Sequence, residues 1–322
     1  MKVIIQIPCF NEEATLGATL AALPRQLPGV DAVEWLIIDD GSADRTAEVA
    51  RAGGADHVVR LPTHQGLACA FTAGLEACVR AGADVIVNTD ADNQYRADYI
   101  PHLLEPILAG RAEMVVGARP VDKIEDFSPT KKVLQKLGSW VVRYASDTTV
   151  PDSPSGFRAI TRDAALRLHV FGRYTYTLET VIQAGQKNLA VTSVPVLTNR
   201  ATRPSRLVKS VPSYVRRSMV TIFRIFLLYR PLRFFLLLGT VPFLAGAALL
   251  ARWVLLYFLE DSSRVRAPSL IVAAVLILVG VQLWTFGLLA DLLAANRKLL
   301  EDVQYRIRRS EADKRPPAWA GS

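Results

Sequence analysis

The sequence lacks the patterns that build disulfide frameworks, zinc sites and glycine-rich phosphate loops. Its three cysteines, Cys9, Cys69 and Cys78, form no CxxC pair, and their odd number indicates a reducing compartment. Its four histidines show neither HxxxH nor HExxH spacing, which argues against a zinc site. The motifs GxxxxGKS, GxxxxGKT and GxGxxG are all absent, so a backbone loop of those kinds for phosphate is excluded.

Acidic residues are absent from a long stretch in the second half of the chain. From Thr180 to Leu259 there is no Asp or Glu, yet the stretch contains eleven Lys or Arg residues. The net charge of +8 is therefore localised. Because the stretch leads directly into apolar segments, we expect its partner to be an anionic membrane surface or an anionic lipid and not a nucleic acid.

Two apolar segments predict membrane-spanning helices over residues 232–259 and 267–291. Residues 234–251 and 267–290 contain no charged residue, and Arg252 is the one charge between residue 251 and residue 259. At about 1.5 Å per residue, each segment is long enough to cross a hydrocarbon core about 30 Å thick. Two helices are too few to form a transport path alone, so we expect them to anchor the rest of the chain.

The flanks of these segments predict their orientation. Both outer flanks are rich in Arg, whereas the link EDSSRVRA balances two acids against two bases. The positive-inside rule therefore predicts an integral membrane protein with its N-terminal domain and both termini in the cytoplasm. The first run, MKVIIQI, is too short for a signal peptide, which agrees with a cytosolic N-terminal part.

Residues 1–120 alternate β-rich runs with helical stretches. KVIIQI, VEWLIID, DHVVRL, DVIVNTD and EMVVGAR predict strands, and SGFRAI and AVTSVPVLT predict two more. This alternation predicts an α/β domain with a mainly parallel sheet, whose ligands bind beyond the carboxyl ends of the strands. We expect four parts in chain order: the α/β domain at 1–204, a basic amphipathic interfacial segment at 205–230, the two membrane helices at 231–292 and a basic tail at 293–322.

Two aspartates follow the fourth predicted strand, in the sequence DADNQ. Residues two apart on an extended chain point the same way, so we expect Asp90 and Asp92 to converge while Ala91 faces elsewhere. Two carboxylates suit Mg²⁺ or Mn²⁺, which complete their ligand shell with substrate phosphates, and Gln94 offers a further oxygen. A polar turn before a helix is the alternative interpretation of this stretch.

Three ordered stretches, IPCFNEE, IIDDGSADRT and DADNQ, resemble those of the family 2 glycosyltransferases. The family has a nucleotide-diphospho-sugar-binding fold of the GT-A kind. The apolar C-terminal segments, the basic stretch before them and the sequence SGFRA make the chain similar to the polyprenyl-phosphate glycosyltransferases of the dolichol-phosphate mannose synthase type. This resemblance implies an inverting, metal-dependent transfer of a hexose from a UDP- or GDP-linked donor to a polyprenyl phosphate.

The resemblance also implies roles for individual residues on the donor side. Phe10 stands where the family usually has Tyr, which keeps an aromatic ring and loses a hydroxyl. Arg119 matches a basic residue near the donor diphosphate, where it assists departure of the leaving group together with a Mg²⁺ or Mn²⁺ ion. The full donor-side set is Pro8, Phe10, Glu12, Asp39 and Asp40 for the nucleoside, Asp90, Asp92 and Gln94 for the metal, and Arg119 for the diphosphate.

On the acceptor side the resemblance implies a segment and an arginine cluster. The segment is Ser155, Gly156 and Arg158, and the cluster is Arg200, Arg203 and Arg206, which stand where the family often has a Gly-x-Ser-Lys run. A lipid phosphate is largely ionised at neutral pH, since its second pKa is about 6, and therefore needs no general base. Glu179 is the nearest acid to the basic stretch, and it acts either as a base or orienter or by fixing the acceptor loop.

Several alternatives stay open at this point. Glu12 could favour a helix N-terminus, Asp39 and Asp40 could be turn acids, and the arginines could form only a membrane-surface patch. A processive polysaccharide synthase is disfavoured because its Gln-x-x-Arg-Trp motif is absent. A catalytically silent membrane protein that binds a nucleotide sugar or scaffolds a partner is the alternative from another class. The donor sugar, the nucleotide and a homo-oligomeric state also stay open.

Overall fold

The computed structural model describes residues 1–120, 142–143, 146, 148–170, 176–199, 227, 231–259 and 267–314. The chain forms two compact units, Met1–Met219 together with Glu301–Ser322, and Val220–Leu300. Apart from residue 227, the predicted interfacial segment at 205–230 lies outside the described residues, and so do Arg200, Arg203 and Arg206. The structure therefore does not test the roles predicted for them.

The first unit is built on one seven-stranded sheet. Its strands are β1 (Lys2–Cys9), β2 (Ala32–Asp39), β3 (His57–Arg60), β4 (Val85–Asn88), β5 (Met114–Ala118), β6 (Arg158–Thr161) and β7 (Val191–Pro195). The order across the sheet is β3-β2-β1-β4-β6-β5-β7, and β6 runs antiparallel to both of its neighbours while the other pairs are parallel. The predicted α/β fold with a mainly parallel sheet is confirmed.

Helices follow the strands in the predicted alternation. They are α1 (Leu16–Ala22), α2 (Thr46–Ala52), α3 (Leu67–Arg80), α4 (Ile100–Leu108), α5 (Arg162–Arg167), α6 (Thr177–Gln186), α7 (Pro231–Leu259) and α8 (Ala267–Lys314). A short 3-10 turn over Ala97–Tyr99 precedes α4. The first four helices begin shortly after Glu12, Asp44, His64 and Asp98, in the helical stretches between the predicted strands.

The central strands are continuous apolar runs because both faces of the sheet are covered. In β1, Val3, Ile5 and Ile7 belong to one buried cluster, while Ile4 points to the opposite face and is also fully buried. Helix α3 packs on β1 and β2. Removal of these side chains from water is the main source of stability for such a sheet.

The antiparallel direction of β6 determines what meets at one edge of the sheet. The carboxyl ends of β1, β2, β4 and β5 lie at this edge, as parallel strands require. Since β6 runs the other way, its first residue, Arg158, pairs with Asn88 at the end of β4. Residues just before β6 therefore lie beside residues just after β4.

Helices α7 and α8 in the second unit are long and apolar enough to cross a membrane. Large apolar side chains such as Leu237 and Phe258 are 73% and 80% exposed, unlike those of a buried core helix. The two helices approach closely at glycines: a Cβ built on Gly239 lies 2.8 Å from the carbonyl oxygen of Gly280. Such close backbone contacts are typical of packed membrane helices.

Helix α8 continues through part of the predicted tail as far as Lys314. Its last turns bond to the α/β domain, where Lys187 Nζ lies 2.9 Å from Glu301 Oε2 and Arg308 Nη2 lies 3.0 Å from Glu76 Oε1. The end of the helix therefore belongs to the first unit. The sequence predicted only a basic tail at 293–322, and no local pattern indicates this attachment.

Gly74 marks the closest approach of α3 to the sheet, and its substitution tests this packing. A Cβ built on Gly74 lies 2.5 Å from Gln6 Oε1 and 2.7 Å from Ile38 Cδ1. We expect Gly74→Ala to cost about 1–3 kcal/mol of unfolding free energy, because the extra methyl group displaces buried side chains. Thermal unfolding of the full chain in detergent measures the loss.

The matched control is Gly17→Ala in α1. The atom nearest to a Cβ built there is Val49 Cγ1, at 4.0 Å. This substitution should leave the melting temperature unchanged or raise it slightly, since alanine favours a helix over glycine by up to about 1 kcal/mol. Equal shifts in the two variants would contradict the proposed tight contact at Gly74.

Candidate active site

The loop after β4 brings the carboxylates of Asp90 and Asp92 together. Between them, Ala91 is buried in the core cluster, and its carbonyl oxygen accepts a hydrogen bond from Thr19 Oγ1 at 2.8 Å. Burial, and next the charge of Asp92, raise the pKa of Asp90 to about 7. The two carboxylates therefore repel each other at the carboxyl edge of the sheet.

The donors around these carboxylates suit a divalent cation. No described residue donates a hydrogen bond to the Asp90 carboxylate. Asp92 Oδ1 accepts one, from the backbone N–H of Gln94 at 3.1 Å. Within the described ranges, no group of three or more His, Cys, Asp or Glu is arranged to hold a metal ion. Two carboxylates are nevertheless enough for Mg²⁺ or Mn²⁺ when substrate phosphates supply further oxygens. The residues present fit a metal that binds together with a phosphate-bearing substrate.

The segment before β6 packs directly on Asp90. A Cβ built on Gly156 lies 3.0 Å from Tyr176 Oη and 3.1 Å from Asp90 Oδ1. The amide of Gly156 donates to Tyr95 Oη at 3.0 Å, and its carbonyl oxygen accepts from Asn88 Nδ2 at 2.8 Å. Glycine at this position therefore leaves the room that the Asp90 carboxylate occupies. Ser155, in the same segment, is fully buried.

Arg158 is not available to an acceptor phosphate, which corrects the role expected for it. The side chain is fully buried, and its guanidinium donates to the carbonyl oxygens of Ser155, Ser153 and Thr177 at 2.7–2.8 Å and to the hydroxyl of Thr180. Burial lowers the pKa of Arg158 to about 10, so it stays charged at neutral pH. Arg158 instead fixes the segment before β6 to the start of α6.

Arg119, just after β5, is held by a buried carboxylate. Its Nε and Nη2 donate to Asp152 at 2.7 and 3.2 Å, and its amide also donates to Asp152 at 3.1 Å. The Asp152 side chain is 1% exposed and that of Arg119 is 12% exposed. The positive charge of Arg119 acts on Asp90, whose pKa it lowers against the larger effects of burial and Asp92. A fixed cation therefore lies close to the carboxylate pair.

The predicted nucleoside residues lie at the ends of β1 and β2. Pro8 is buried within β1, opposite Ile38. Phe10 stacks on His64 with ring centroids 3.8 Å apart. Glu12 is buried, and its carboxylate accepts a hydrogen bond from the Thr15 hydroxyl at 2.7 Å, close to the start of α1. The aromatic surface at this end is thus a pair of rings and not Phe10 alone.

The two acids after β2 differ in what they bind. Both oxygens of Asp40 are used, by the amides of Gln65 and Gly66 at 2.8 Å each, and Nδ1 of His64 also lies 2.8 Å away. Asp40 therefore holds the loop before α3, as a turn acid does. In Asp39, the buried Oδ2 receives no hydrogen bond from the described residues and has only an ion-pair contact at 3.3 Å with Arg60. Asp39 Oδ2 is therefore an acceptor that lacks a hydrogen-bond donor among the described residues.

Sequence reasoning missed several residues of this site. Contacts between segments far apart in the chain bring four more side chains to it, those of Asp152, Tyr95, Tyr176 and His64. The residues next to them in sequence do not indicate these contacts. Glu179 lies half-buried in the first turn of α6, and its catalytic role stays a prediction.

Comparison with known proteins identifies the family to which the sequence is similar. Residues 4–168 match the family described as Glycosyl transferase family 2. An undecaprenyl-phosphate mannosyltransferase of Micrococcus luteus is 32% identical over 51% of this chain and 68% of its own length. A polyprenol monophosphomannose synthase of Mycolicibacterium smegmatis is 26% identical over 61% of this chain and 76% of its own length.

A solved structure supports the fold. Glucosyl-3-phosphoglycerate synthase from Mycobacterium tuberculosis, in complex with Mn²⁺, uridine diphosphate and glucosyl-3-phosphoglycerate, aligns with a TM-score of 0.53. The alignment covers 69% of this chain and 79% of that one at 20% identity. At this identity the likeness concerns the α/β fold alone.

We expect the Arg119–Asp152 ion pair to contribute strongly to the stability of the α/β domain. Asp152→Ala leaves a buried guanidinium without its partner, and we expect a loss of about 3–5 kcal/mol of unfolding free energy. The control is Glu105→Ala, whose partner Arg111 is 63% exposed, as Glu105 is, so that the loss should stay below about 1 kcal/mol. Similar melting temperatures for the two variants would rule out a buried, structurally important pair.

The raised pKa of Asp90 predicts a pH dependence of stability. The unfolded chain loses the Asp90 proton near pH 4, whereas the folded protein keeps it until about pH 7. The metal-free protein should therefore lose stability as the pH rises from about 4 to above 7. Asp90→Asn should remove this part of the dependence and be the more stable protein at pH 8. Melting temperatures at pH 5 and pH 8 in the presence of chelator measure this difference, with Glu105→Gln as the surface control. The same change in melting temperature between the two pH values in all three proteins would contradict the raised pKa of Asp90.

Proposed function

Because the chain belongs to glycosyl transferase family 2, we propose that it is a membrane-anchored, inverting glycosyltransferase that moves a hexose from a UDP- or GDP-linked donor to a polyprenyl phosphate. The main support is the meeting of Asp90, Asp92 and the fixed cation Arg119 at one edge of the sheet. The two mannosyl-transferring relatives, named for undecaprenyl phosphate and polyprenol, make mannose the first sugar to test.

On the donor side, Asp90 and Asp92 would hold a Mg²⁺ or Mn²⁺ ion, with Gln94 as a further candidate ligand. When bound, the ion supplies positive charge to the diphosphate as it leaves the sugar. Arg119 adds a second cation that Asp152 holds in place, so little reorganisation is needed when charge develops on the leaving group.

The nucleoside would bind at the ends of β1 and β2. Asp39 Oδ2, which accepts no hydrogen bond from the described residues, is a buried acceptor that suits a ribose hydroxyl or a base N–H. The stacked rings of Phe10 and His64 offer an aromatic surface for the base. Glu12 lies close enough for its charge to act on Asp90. Asp40 supports this region indirectly, through the loop before α3.

The acceptor would approach from the arginine-rich side. Asn199 is the last described residue before the segment that contains Arg200, Arg203 and Arg206. Its amide donates to the carbonyl oxygen of Gln94 at 2.9 Å, and its Nδ2 donates to that of Asn93 at 2.8 Å. The described range 176–199 therefore ends beside the loop that carries Asp92. Cations that follow from here would attract a lipid phosphate, with no Asp or Glu before Leu259 to repel it.

The phosphate itself would be the nucleophile. It is mostly ionised at neutral pH, so in-line attack on the anomeric carbon needs no proton removal and inverts that centre. Glu179 is the candidate orienter of the acceptor, from the first turn of α6. Helices α7 and α8 would hold the enzyme in the bilayer where a polyprenyl phosphate resides, with the catalytic domain and both termini on the cytoplasmic side.

The test is sugar transfer from labelled GDP-mannose, UDP-glucose and UDP-GlcNAc to a polyprenyl phosphate in detergent with Mn²⁺ or Mg²⁺. We expect a labelled lipid from one of these donors, lost on addition of chelator. Asp92→Asn should lower the rate at least roughly 100-fold, because it removes one of the two carboxylates that would hold the metal ion beside the leaving group.

Asp98→Asn is the matched control, since Asp98 lies in the same loop region, is 55% exposed and pairs with Arg96. It should transfer sugar at the unsubstituted rate. Metal-dependent nucleotide binding without transfer from any donor would instead favour the silent nucleotide-sugar binder. Transfer that survives both chelator and Asp92→Asn would contradict the proposed role of the carboxylate pair.

A further inference from the structure

A buried tyrosine lies close to Asp90 and has no part in the reaction described above. Tyr176 is 1% exposed and immediately precedes α6. Its ring stacks on Phe71 of α3, with centroids 3.8 Å apart and an angle of 5° between the planes. The guanidinium of Arg158 lies 5.6 Å from the ring centroid. The position of the hydroxyl is therefore fixed by packing on its ring.

The hydroxyl of Tyr176 and the carboxylate of Asp90 face the same small space. That space is the one a side chain at Gly156 would fill: a Cβ there lies 3.0 Å from Tyr176 Oη and 3.1 and 3.4 Å from the two Asp90 oxygens. Burial, and next the negative charge of Asp90, raise the pKa of Tyr176 above its ordinary value. The hydroxyl therefore stays protonated beside a carboxylate.

The hydrogen bonds of Asn88 determine where the Tyr176 proton is free to point. Asn88 Nδ2 donates at 2.8 Å to Tyr176 Oη and at 2.8 Å to the Gly156 carbonyl, while Asn88 Oδ1 accepts from Gln6 Nε2 at 2.9 Å. Tyr176 Oη is thus an acceptor in its bond with Asn88. Its own proton remains available to an acceptor on the Gly156 side, where the Asp90 carboxylate lies.

We infer that Tyr176 is a positioning residue for Asp90. The structure shows no hydrogen bond between the two side chains, and the free proton of the hydroxyl would donate to the carboxylate when a metal binds and so hold it in the metal-binding orientation. The inference rests on the proposed function in one respect, that Asp90 and Asp92 bind the divalent metal. Hydrogen bonds of this kind to a ligand carboxylate fix its direction and commonly change metal affinity by about 10- to 100-fold. Since Tyr176 also begins the helix that carries Glu179, it connects the donor and acceptor sides.

The experiment compares two variants of the full chain that each remove one buried hydroxyl from the start of α6. Tyr176→Phe deletes the hydroxyl beside Asp90, whereas Thr180→Val deletes one that bonds to Arg158. Binding of Mn²⁺ is measured by electron paramagnetic resonance of the free ion, with UDP and GDP in separate samples and without acceptor lipid. We expect Tyr176→Phe to weaken Mn²⁺ binding about tenfold and Thr180→Val to leave it within about twofold.

A second readout separates positioning from loss of structure. In transfer assays, Tyr176→Phe should raise the Mn²⁺ concentration for half-maximal rate by the same factor, while the rate at saturating Mn²⁺ stays within about threefold of the unsubstituted enzyme. Gly156→Ala, which places a methyl group between the two side chains, should weaken Mn²⁺ binding although every hydroxyl remains.

The outcomes distinguish this inference from the proposed function. Unchanged Mn²⁺ affinity in Tyr176→Phe, or equal weakening in Tyr176→Phe and Thr180→Val, overturns the positioning role. If the expected binding changes occur but no donor supports transfer, the positioning role stands and the proposed reaction fails. Mn²⁺ binding that is the same in the unsubstituted chain and in Asp92→Asn overturns the metal site and the positioning role together.

Discussion

The repulsion between Asp90 and Asp92 is the constraint to which the rest of the site responds. The sheet holds the two carboxylates at one edge, where both are partly buried and where burial and the charge of Asp92 raise the pKa of Asp90. Such an arrangement is costly in the absence of a cation, and natural proteins retain it where binding depends on it. Around the pair lie a glycine that leaves space, a cation fixed by its own partner, and a tyrosine hydroxyl.

Two buried arginines in this region serve different purposes. Arg158 donates hydrogen bonds to carbonyl oxygens of the segment before β6 and of α6, so its charge stabilises the conformation of that backbone. Arg119 bonds to a single carboxylate along one side, so its charge acts on the site edge as well as on Asp152. Two arginines of one site can therefore differ in function, and the difference lies in their exposure and in how many internal acceptors surround each.

Much of the fold was predictable from sequence because its signals are local. Apolar runs of five to eight residues that alternate with helical stretches predict strands and helices wherever they occur, and DADNQ at a strand end predicts an acidic edge. The contacts of Arg158 and Asp40 were not predictable, since adjacency to Ser155 and Gly156, or to Asp39, does not reveal which way a side chain points. Tyr176 and Asp152 join the site through sheet order, and the attachment of α8 to the α/β domain involves residues more than 100 positions apart.

The insertion of β6 between β4 and β5 also has a consequence for how the protein is made. Strands β4 and β5 follow each other in the chain but have no hydrogen bonds to each other, so the middle of the sheet stays open until residue 161 has left the ribosome. Folding of this edge is therefore non-local, and in a nascent chain that ends near residue 120 β4 lacks one of its partners and β5 lacks both. Synthesis order thus delays assembly of the acidic edge until the strand that joins β4 to β5 is present.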